Sequence, residues 1–497
     1  MNYRMALVLI GTISCSDAVA GTTVDAVNAQ FARDLYASRS SVLIIGDSTT
    51  QPTGAGSFVT YYEGLVQTRP ESIQFCGFRV SGSTGNTAVN GYIRMVGGST
   101  SQMVNGRSSL LTEDVKVGTT PYSPPGYRNE FTVINNGSLS SAGRFIASGL
   151  VNLQGILGSA DQWVENSTMV LRTPFYISSD GSTITRFSKS SITDYDGSAG
   201  TNVGVFDRGE QIDIQLSSDR FGLQYVDSVF ENPMNARFGI QFSGDLDTDD
   251  ADESGKTLAW CHHILFNQNL ADDDRGLYLD SISIGGYTPK DHAEALDPMI
   301  LDDYFAAAPR PYNTILIWLG QNSETDEWNG ALQPQWGQRI EAITDIALQA
   351  SIDSGATSIP VPILITPPLA TEEEYPSFRF TAMNAVLNEI ATRRGWGHID
   401  LQSLLGASLF DIDSGFVDGH GPHPSQAGAV FFTQLMYDHF ACLRADYNGD
   451  GTRNFLDVSE FLSLFAAQDP HADMNGDRSF NFLDISDFLQ AFAAPCP

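Results

Sequence analysis

Three residues have the types and settings that acyl transfer requires. Ser48 closes Gly46-Asp47-Ser48 behind the apolar run Val42-Leu43-Ile44-Ile45. Asn322 closes Gly320-Gln321-Asn322 behind Ile315-Leu316-Ile317-Trp318-Leu319, and His423 opens His423-Pro424-Ser425-Gln426-Ala427-Gly428-Ala429. A serine hydroxyl becomes a nucleophile when an imidazole takes its proton, and an amide can hold the oxyanion that forms. Gly-Asp-Ser alone is a weak signal, because serines often cap helices or fill turns. Its weight comes from company: serine, asparagine and histidine follow successive strand-like segments.

The elements that must position them are legible in outline. Continuous apolar runs at 42–45, 314–319 and 361–366, with a shorter candidate at 398–401, read as strands buried on both faces of a parallel sheet. Between the last two, Phe380, Met383, Val386, Leu387 and Ile390 recur at helical spacing before Gly395. A second helix is expected over 293–307, and another from about Ser57. This alternation predicts a doubly wound α/β domain, whose strands present ligands at their carboxyl ends.

Residues 95–275 have a different texture. Segments 169–178, 211–216, 221–226 and 237–242 are short, several with period-two alternation, and Gly, Ser, Asp and Asn separate them. An all-β, sandwich-like module is expected there, inserted into the α/β domain because strand material lies on both sides. The acidic stretch 245–253 reads as a solvated turn, with calcium binding as the alternative. The expected organisation is 1–20 leader, 21–94 and 276–441 the two parts of the α/β domain, 95–275 the insert and 442–497 a terminal unit.

That terminal unit is an internal repeat with a period of 27 residues, from Asp446 to Asp473. Each copy runs from Asp-x-Asn-Gly-Asp to Asn-Phe-Leu-Asp and feeds an apolar-periodic helix, 458–465 and 485–492. Oxygen donors at loop positions 1, 3, 5, 7 and 12 are the pattern that surrounds calcium. They are Asp446, Asn448, Asp450, the Thr452 carbonyl and Asp457, then Asp473, Asn475, Asp477, the Ser479 carbonyl and Asp484.

Taken together, the Ser48, Asn322 and His423 blocks resemble those of SGNH (GDSL-type) hydrolases, over roughly residues 40–65 and 278–440. The resemblance implies a three-layer, flavodoxin-like fold and ester hydrolysis with no catalytic cofactor. It adds an oxyanion glycine, for which Gly286 in Ile284-Gly285-Gly286-Tyr287-Thr288 is favoured over Gly82. It also implies an aspartate partner for the histidine. Asp418 lies five residues upstream of His423, where the family has three, and His420 is an alternative base paired with the same aspartate. Ser323 stands where the family usually carries a structural aspartate. The implied mechanism has His423 activate Ser48, Asp418 orient the imidazole, and the Ser48 and Gly286 amides with Asn322 hold the oxyanion.

The repeat pair resembles a dockerin, the two-loop module that attaches secreted polysaccharide-degrading enzymes to cohesin partners. Two departures stand out. Position 6 is Gly451 in the first loop but Arg478 in the second, and Phe455-Leu456 and Phe482-Leu483 replace small polar recognition residues. A calcium-stabilised cap without a partner is the alternative.

Bulk composition narrows the remaining classes. With 59 acidic against 27 basic residues the net charge is −32 and no basic stripe appears, which excludes a nucleic-acid-binding role. Arg4, the apolar stretch from Ala6 and Ala18-Val19-Ala20 read as a secretory leader, with Cys15 in a lipoprotein signal as the alternative. No transmembrane segment is expected. Export favours disulfides: Cys442 with Cys496, which bracket the terminal unit, leaving Cys76 with Cys261. Histidines 262, 263, 292, 398, 439 and 471 read as packing or surface residues. The expected function is a secreted serine esterase that deacetylates a carbohydrate. The alternatives are a catalytically impaired carbohydrate-binding or cell-surface scaffold, and a lipid or aryl esterase.

Overall fold

The computed structural model describes residues 23–494 apart from 52–59, 71, 81–88, 97–100, 105–114, 118–131, 136–143, 153–166, 178–185, 193–210, 216–221, 232–236, 246–256, 261–262, 297, 324–332, 369–376 and 419–422. The expected leader, Gly82, Cys261, His420 and Cys496 lie outside the described residues.

Helix α1 (Val24–Tyr36), capped by the Thr23 hydroxyl, leads into β1 (Ser41–Gly46), whose six residues are all buried. Helix α2 (Tyr61–Gln67) begins with a Thr60–Glu63 capping box and is followed by β2 (Phe75–Val80). Next come β3 (Val89–Val96), β4 (Ser101–Val104), β5 (Val115–Val117), β6 (Thr132–Asn135) and β7 (Arg144–Asn152). The series continues with β8 (Thr168–Ile177), β9 (Arg186–Ile192), β10 (Gln211–Gln215), β11 (Gly222–Glu231), β12 (Arg237–Asp245) and β13 (Thr257–Trp260). Strand β14 (His263–Asn267), helix α3 (Gln268–Asp272) and β15 (Leu277–Ser283) follow.

The expected helix over 293–307 is two helices, α4 (Pro289–Ala295) and α5 (Pro298–Ala307). Leu296 is extended, which ends α4. Then come β16 (Thr314–Trp318), α6 (Gln333–Asp353), β17 (Val361–Thr366), α7 (Ser377–Arg394) and β18 (Gly397–Asp400). Short helices α8 (Leu401–Leu405) and α9 (Leu409–Ile412) precede α10 (Gln426–Leu443), and α11 (Phe455–Ala467) and α12 (Phe482–Ala493) end the chain.

The α/β core is a run of parallel strands ordered β18-β17-β16-β1-β15-β2. With β15 counted as the second strand, this is the flavodoxin-like order, and β2 is an added neighbour. Strand β1 sits where the order reverses, flanked by β15 and β16. Side chains alternate across it: Val42 and Ile44 pack with α1, α2 and α10, while Leu43 and Ile45 pack with α5, α6 and α7. Three layers result because both faces of the sheet are apolar.

The middle strands are antiparallel. Six form a sheet ordered β10-β9-β12-β7-β3-β4. Others extend the main sheet beyond β2, through β14, β8, β13, β6 and β5, with β11 pairing β8, so that it reaches 12 strands. The expected Cys76–Cys261 pair is corrected: Cys76 is a free thiol buried on β2, with Sγ 3.9 Å from the Asn267 carbonyl. Packing between β2 and β14 seals it inside the sheet. Cys442 is disulfide-bonded to a partner outside the described residues. Among the described residues, no helix is long and apolar enough to cross a membrane.

Candidate active site

Ser48 begins a single 3-10 turn, Ser48–Thr50, directly after β1. The turn is held by Asp47, whose carboxylate accepts the Thr49 N–H at 3.0 Å and the Thr49 hydroxyl at 2.8 Å. It also accepts the Gln321 N–H, which ties the nucleophile turn to the Gly320-Gln321-Asn322 loop. Burial pushes the Asp47 carboxyl up to about 6 against the pull of these bonds. Gly46 is required by space, since a Cβ there would lie 2.0 Å from Thr50 Oγ1 and 2.9 Å from Ser283 Oγ.

His423 comes from the other end of the fold, and its local sequence explains its placement. The Ser425 hydroxyl caps α10 by accepting the Gly428 N–H at 3.2 Å, and donates to the Gly415 carbonyl at 2.6 Å. A Cβ on Gly428 would collide with the Phe416 carbonyl at 2.0 Å, so the helix start can approach that segment only as glycine. Val417 and Pro424 form an isolated antiparallel bridge, and the Asp418 N–H donates to the His423 carbonyl at 3.0 Å. The loop is thereby closed at its base, and His423 Nε2 lies 2.8 Å from Ser48 Oγ. This is direct hydrogen-bond contact between an imidazole and a hydroxyl, the arrangement that base-assisted nucleophilic attack requires.

The third and fourth segments converge on the same point. After β15, Tyr287 N–H donates to the Ile284 carbonyl at 3.1 Å, closing a turn over Gly285 and Gly286. Gly286 has φ of +81°, a conformation that glycine adopts at least cost. A side chain on Gly285 would meet Ser48 Cβ at 3.6 Å and the Gln51 amide at 3.4 Å. After β16, Asn322 Nδ2 donates to the Tyr287 carbonyl at 3.3 Å, so the amide is held at the glycine turn. Ser323 accepts from Trp336 Nε1 at 2.9 Å, a bond that anchors α6 rather than touching the serine. The structure therefore gathers Ser48, the Gly285–Gly286 turn, Asn322 and His423 at the carboxyl ends of the central strands, and places the Asp418 backbone beside His423.

Two residues here escaped sequence reasoning. Gln51, three residues past the nucleophile, borders Gly285. His292, expected to be a packing or surface residue, is fully buried on α4 with Nε2 2.8 Å from the Gly46 carbonyl. No sequence motif marks it; only its position one turn into the helix that follows the glycine turn does.

The C-terminal loops carry oxygen donors in matching arrangements. Asp446 accepts the Gly449 and Gly451 N–H groups, both at 2.9 Å, and Asp457 accepts those of Tyr447 and Asn448 at 2.8 and 3.1 Å. In the second loop, Asp473 accepts the Arg478 N–H at 3.0 Å and Asp484 the Met474 N–H at 2.9 Å. Position 6 is left-handed in both, with φ of +78° at Gly451 and +66° at Arg478, so arginine takes the glycine-like conformation. Asp446, Asp457, Asp473 and Asp484 are all buried, and Asp473 Oδ1 has no hydrogen-bond partner. Asp450 turns to Asn448 Nδ2 at 2.9 Å, and among the described residues no three acidic, histidine or cysteine side chains converge on one point. Phe461 and Phe488 stack between the two helices with centroids 4.1 Å apart. On the outer surface, Phe455, Leu456, Phe482 and Leu483 are exposed.

No family model and no curated protein matches the chain. Among solved structures, one titled as a peptidoglycan O-acetylesterase is 12% identical, covering 84% of this chain and 95% of its own, with a TM-score of 0.47. A lipase/acylhydrolase from Enterococcus faecalis is 21% identical, with coverages of 34% and 81% and a TM-score of 0.24. A carbohydrate acetylesterase from Sinorhizobium meliloti is 13% identical, with coverages of 34% and 79% and a TM-score of 0.24. Likenesses this distant carry no weight for activity or substrate.

Proposed function

We propose that this chain is a secreted serine esterase that removes acetyl or another small acyl group from a carbohydrate. The observation that carries the esterase reading is the 2.8 Å contact between His423 Nε2 and Ser48 Oγ beside a glycine turn and an asparagine amide. In the proposed reaction His423 takes the Ser48 proton as Oγ attacks the ester carbonyl carbon. The Ser48 and Gly286 amides and Asn322 Nδ2 hold the oxyanion. The alcohol leaves with the proton from His423, and water, deprotonated by the same imidazole, releases the acid. Asp418 is the proposed partner that orients the imidazole, a role supported by the bond from its backbone to His423.

The C-terminal pair is proposed to bind two calcium ions, through Asp446, Asn448, Asp450, Thr452 and Asp457 and through Asp473, Asn475, Asp477, Ser479 and Asp484. Buried carboxylates are costly unless paired or bound to metal, and the unpartnered Asp473 oxygen fits the second case. Calcium would add positive charge beside these carboxylates, of which Asp473 already pairs with Arg39 through its other oxygen. A cohesin-like or cell-surface partner is proposed for the exposed Phe-Leu pairs. The carbohydrate assignment rests on the family and dockerin resemblances.

The decisive experiment measures acetate release from acetylated xylan, acetylated pectin and p-nitrophenyl acetate by wild type and Ser48→Ala. Turnover by the wild type that vanishes in the variant supports the proposal; equal rates in both would overturn it. Turnover of the aryl ester alone would remove the carbohydrate assignment and favour an aryl esterase.

A further inference from the structure

We propose that His292 is a positioning residue for the esterase reaction, holding the nucleophile turn and the oxyanion turn at a fixed separation. The inference rests on the esterase reading above and assigns a role to a side chain outside the reacting set.

The chemistry begins with the tautomer. His292 is fully buried, and its Nε2 lies 2.8 Å from the Gly46 carbonyl, a group that can only accept. Nε2 therefore carries the proton and Nδ1 is a bare acceptor. Nδ1 has no hydrogen-bond partner, which fits a lone pair better than an N–H, the costlier group to leave unpaired. Burial lowers the imidazole to about 4, so it stays neutral and remains a single fixed donor across the range where an esterase works.

The geometry supplies the function. Gly46 lies two residues before Ser48, and its carbonyl accepts a second bond, from the Ile284 N–H at 3.2 Å. Ile284 is also the residue whose carbonyl closes the Gly285–Gly286 turn. The imidazole also packs against the Tyr287 ring in a T-shaped contact with centroids 5.1 Å apart, and the Tyr287 carbonyl accepts Asn322 Nδ2. One side chain thus touches the strand end that aims Ser48 and the residue that fixes both the glycine turn and Asn322. A small displacement between a nucleophile and its oxyanion donors weakens transition-state binding more than substrate binding, because the oxyanion exists only in the transition state and the intermediate.

The test compares wild type with His292→Leu, which fills the space without a donor, and His292→Gln, whose amide can restore one. Steady-state kinetics on p-nitrophenyl acetate and the rate of Ser48 labelling by a fluorophosphonate are read together with the Tm of each protein. The expected result is a kcat reduced about 100-fold in His292→Leu with KM changed less than about threefold, and Ser48 labelling slowed in parallel. His292→Gln is expected to recover at least about tenfold of that loss. A kcat and labelling rate in His292→Leu within about twofold of wild type would overturn the proposal alone. So would losses in both variants that track their Tm values, since those report packing only. No Ser48 labelling in the wild type would instead overturn the esterase reading and this proposal with it.

Discussion

Arg33 donates from Nη1 to the Asp446 carbonyl at 2.7 Å, joining the first helix of the α/β domain to the first acidic loop. The joint is broad. Thr23 donates to the Gly449 carbonyl at 2.7 Å, Arg39 pairs with Asp473, and a Cβ on Gly449 would strike Ala26 at 2.3 Å. If the loops bind calcium as proposed, metal and α/β domain must be linked energetically. All six tryptophans lie outside 446–497, so their fluorescence reports only the rest of the chain. Chelation by EGTA is expected to lower the Tm read by tryptophan fluorescence by roughly 3–8 °C, and Arg33→Ala with Arg39→Ala to shrink that shift. A Tm that ignores chelation would remove the linkage.

Asn322 tests the oxyanion assignment. If its amide holds the oxyanion as proposed, Asn322→Ala is expected to lower kcat by about 10²–10³ while leaving KM within a few-fold. A change confined to KM would place Asn322 in substrate binding instead.

Acid sensitivity follows from two buried histidines. Burial holds His292 and His398 at about 4, so the unfolded chain binds protons at these sites between about pH 6.5 and 4 while the folded chain does not. Stability therefore rises with pH through that window and is lost on acidification, by roughly 3 kcal/mol per histidine at the extreme. Asp47, raised to about 6, acts in the opposite direction over about pH 4 to 6, because its folded form keeps a proton that the unfolded form gives up. His439, lowered by burial, adds to the histidines, and Asp34 and Asp446, raised by burial, add to Asp47. The histidine contribution is isolated by difference: the change in Tm between pH 7 and pH 5 should shift toward greater relative stability at pH 5 in His292→Gln than in wild type.

Cys76 should behave as a sealed thiol. Burial pushes it up to about 11, and native protein should not react with a thiol reagent at that site. Alkylation under denaturing, non-reducing conditions followed by peptide mapping should find Cys76 modified; a Cys76–Cys261 peptide would contradict the structure.

Much of the site could be read from sequence because its signals are local. A buried strand ending in Gly46-Asp47-Ser48 and the capped helix start at Ser425 carry their geometry in a few adjacent residues. The repeated acidic loops and the helices they feed are legible for the same reason, whereas the left-handed conformation of Arg478 was not. Long-range information was not legible. Nothing near Cys76 reveals that β14 covers it, nothing near His292 reveals that Gly46 faces it, and the break at Leu296 was masked by an apolar pattern that continues across it. The joining of antiparallel strands onto the parallel sheet through β2 and β14 depends on pairing between distant segments, which periodicity does not encode.

The position of β1 has a kinetic consequence. Both of its neighbours arrive late: Ser41 pairs with Tyr278 and Val42 with Thr314, each more than two hundred residues downstream. The strand that carries the nucleophile must stay unpaired until most of the chain has been made, and closing such long loops is slow. The assembled Ser48–His423 contact is therefore one of the last products of folding.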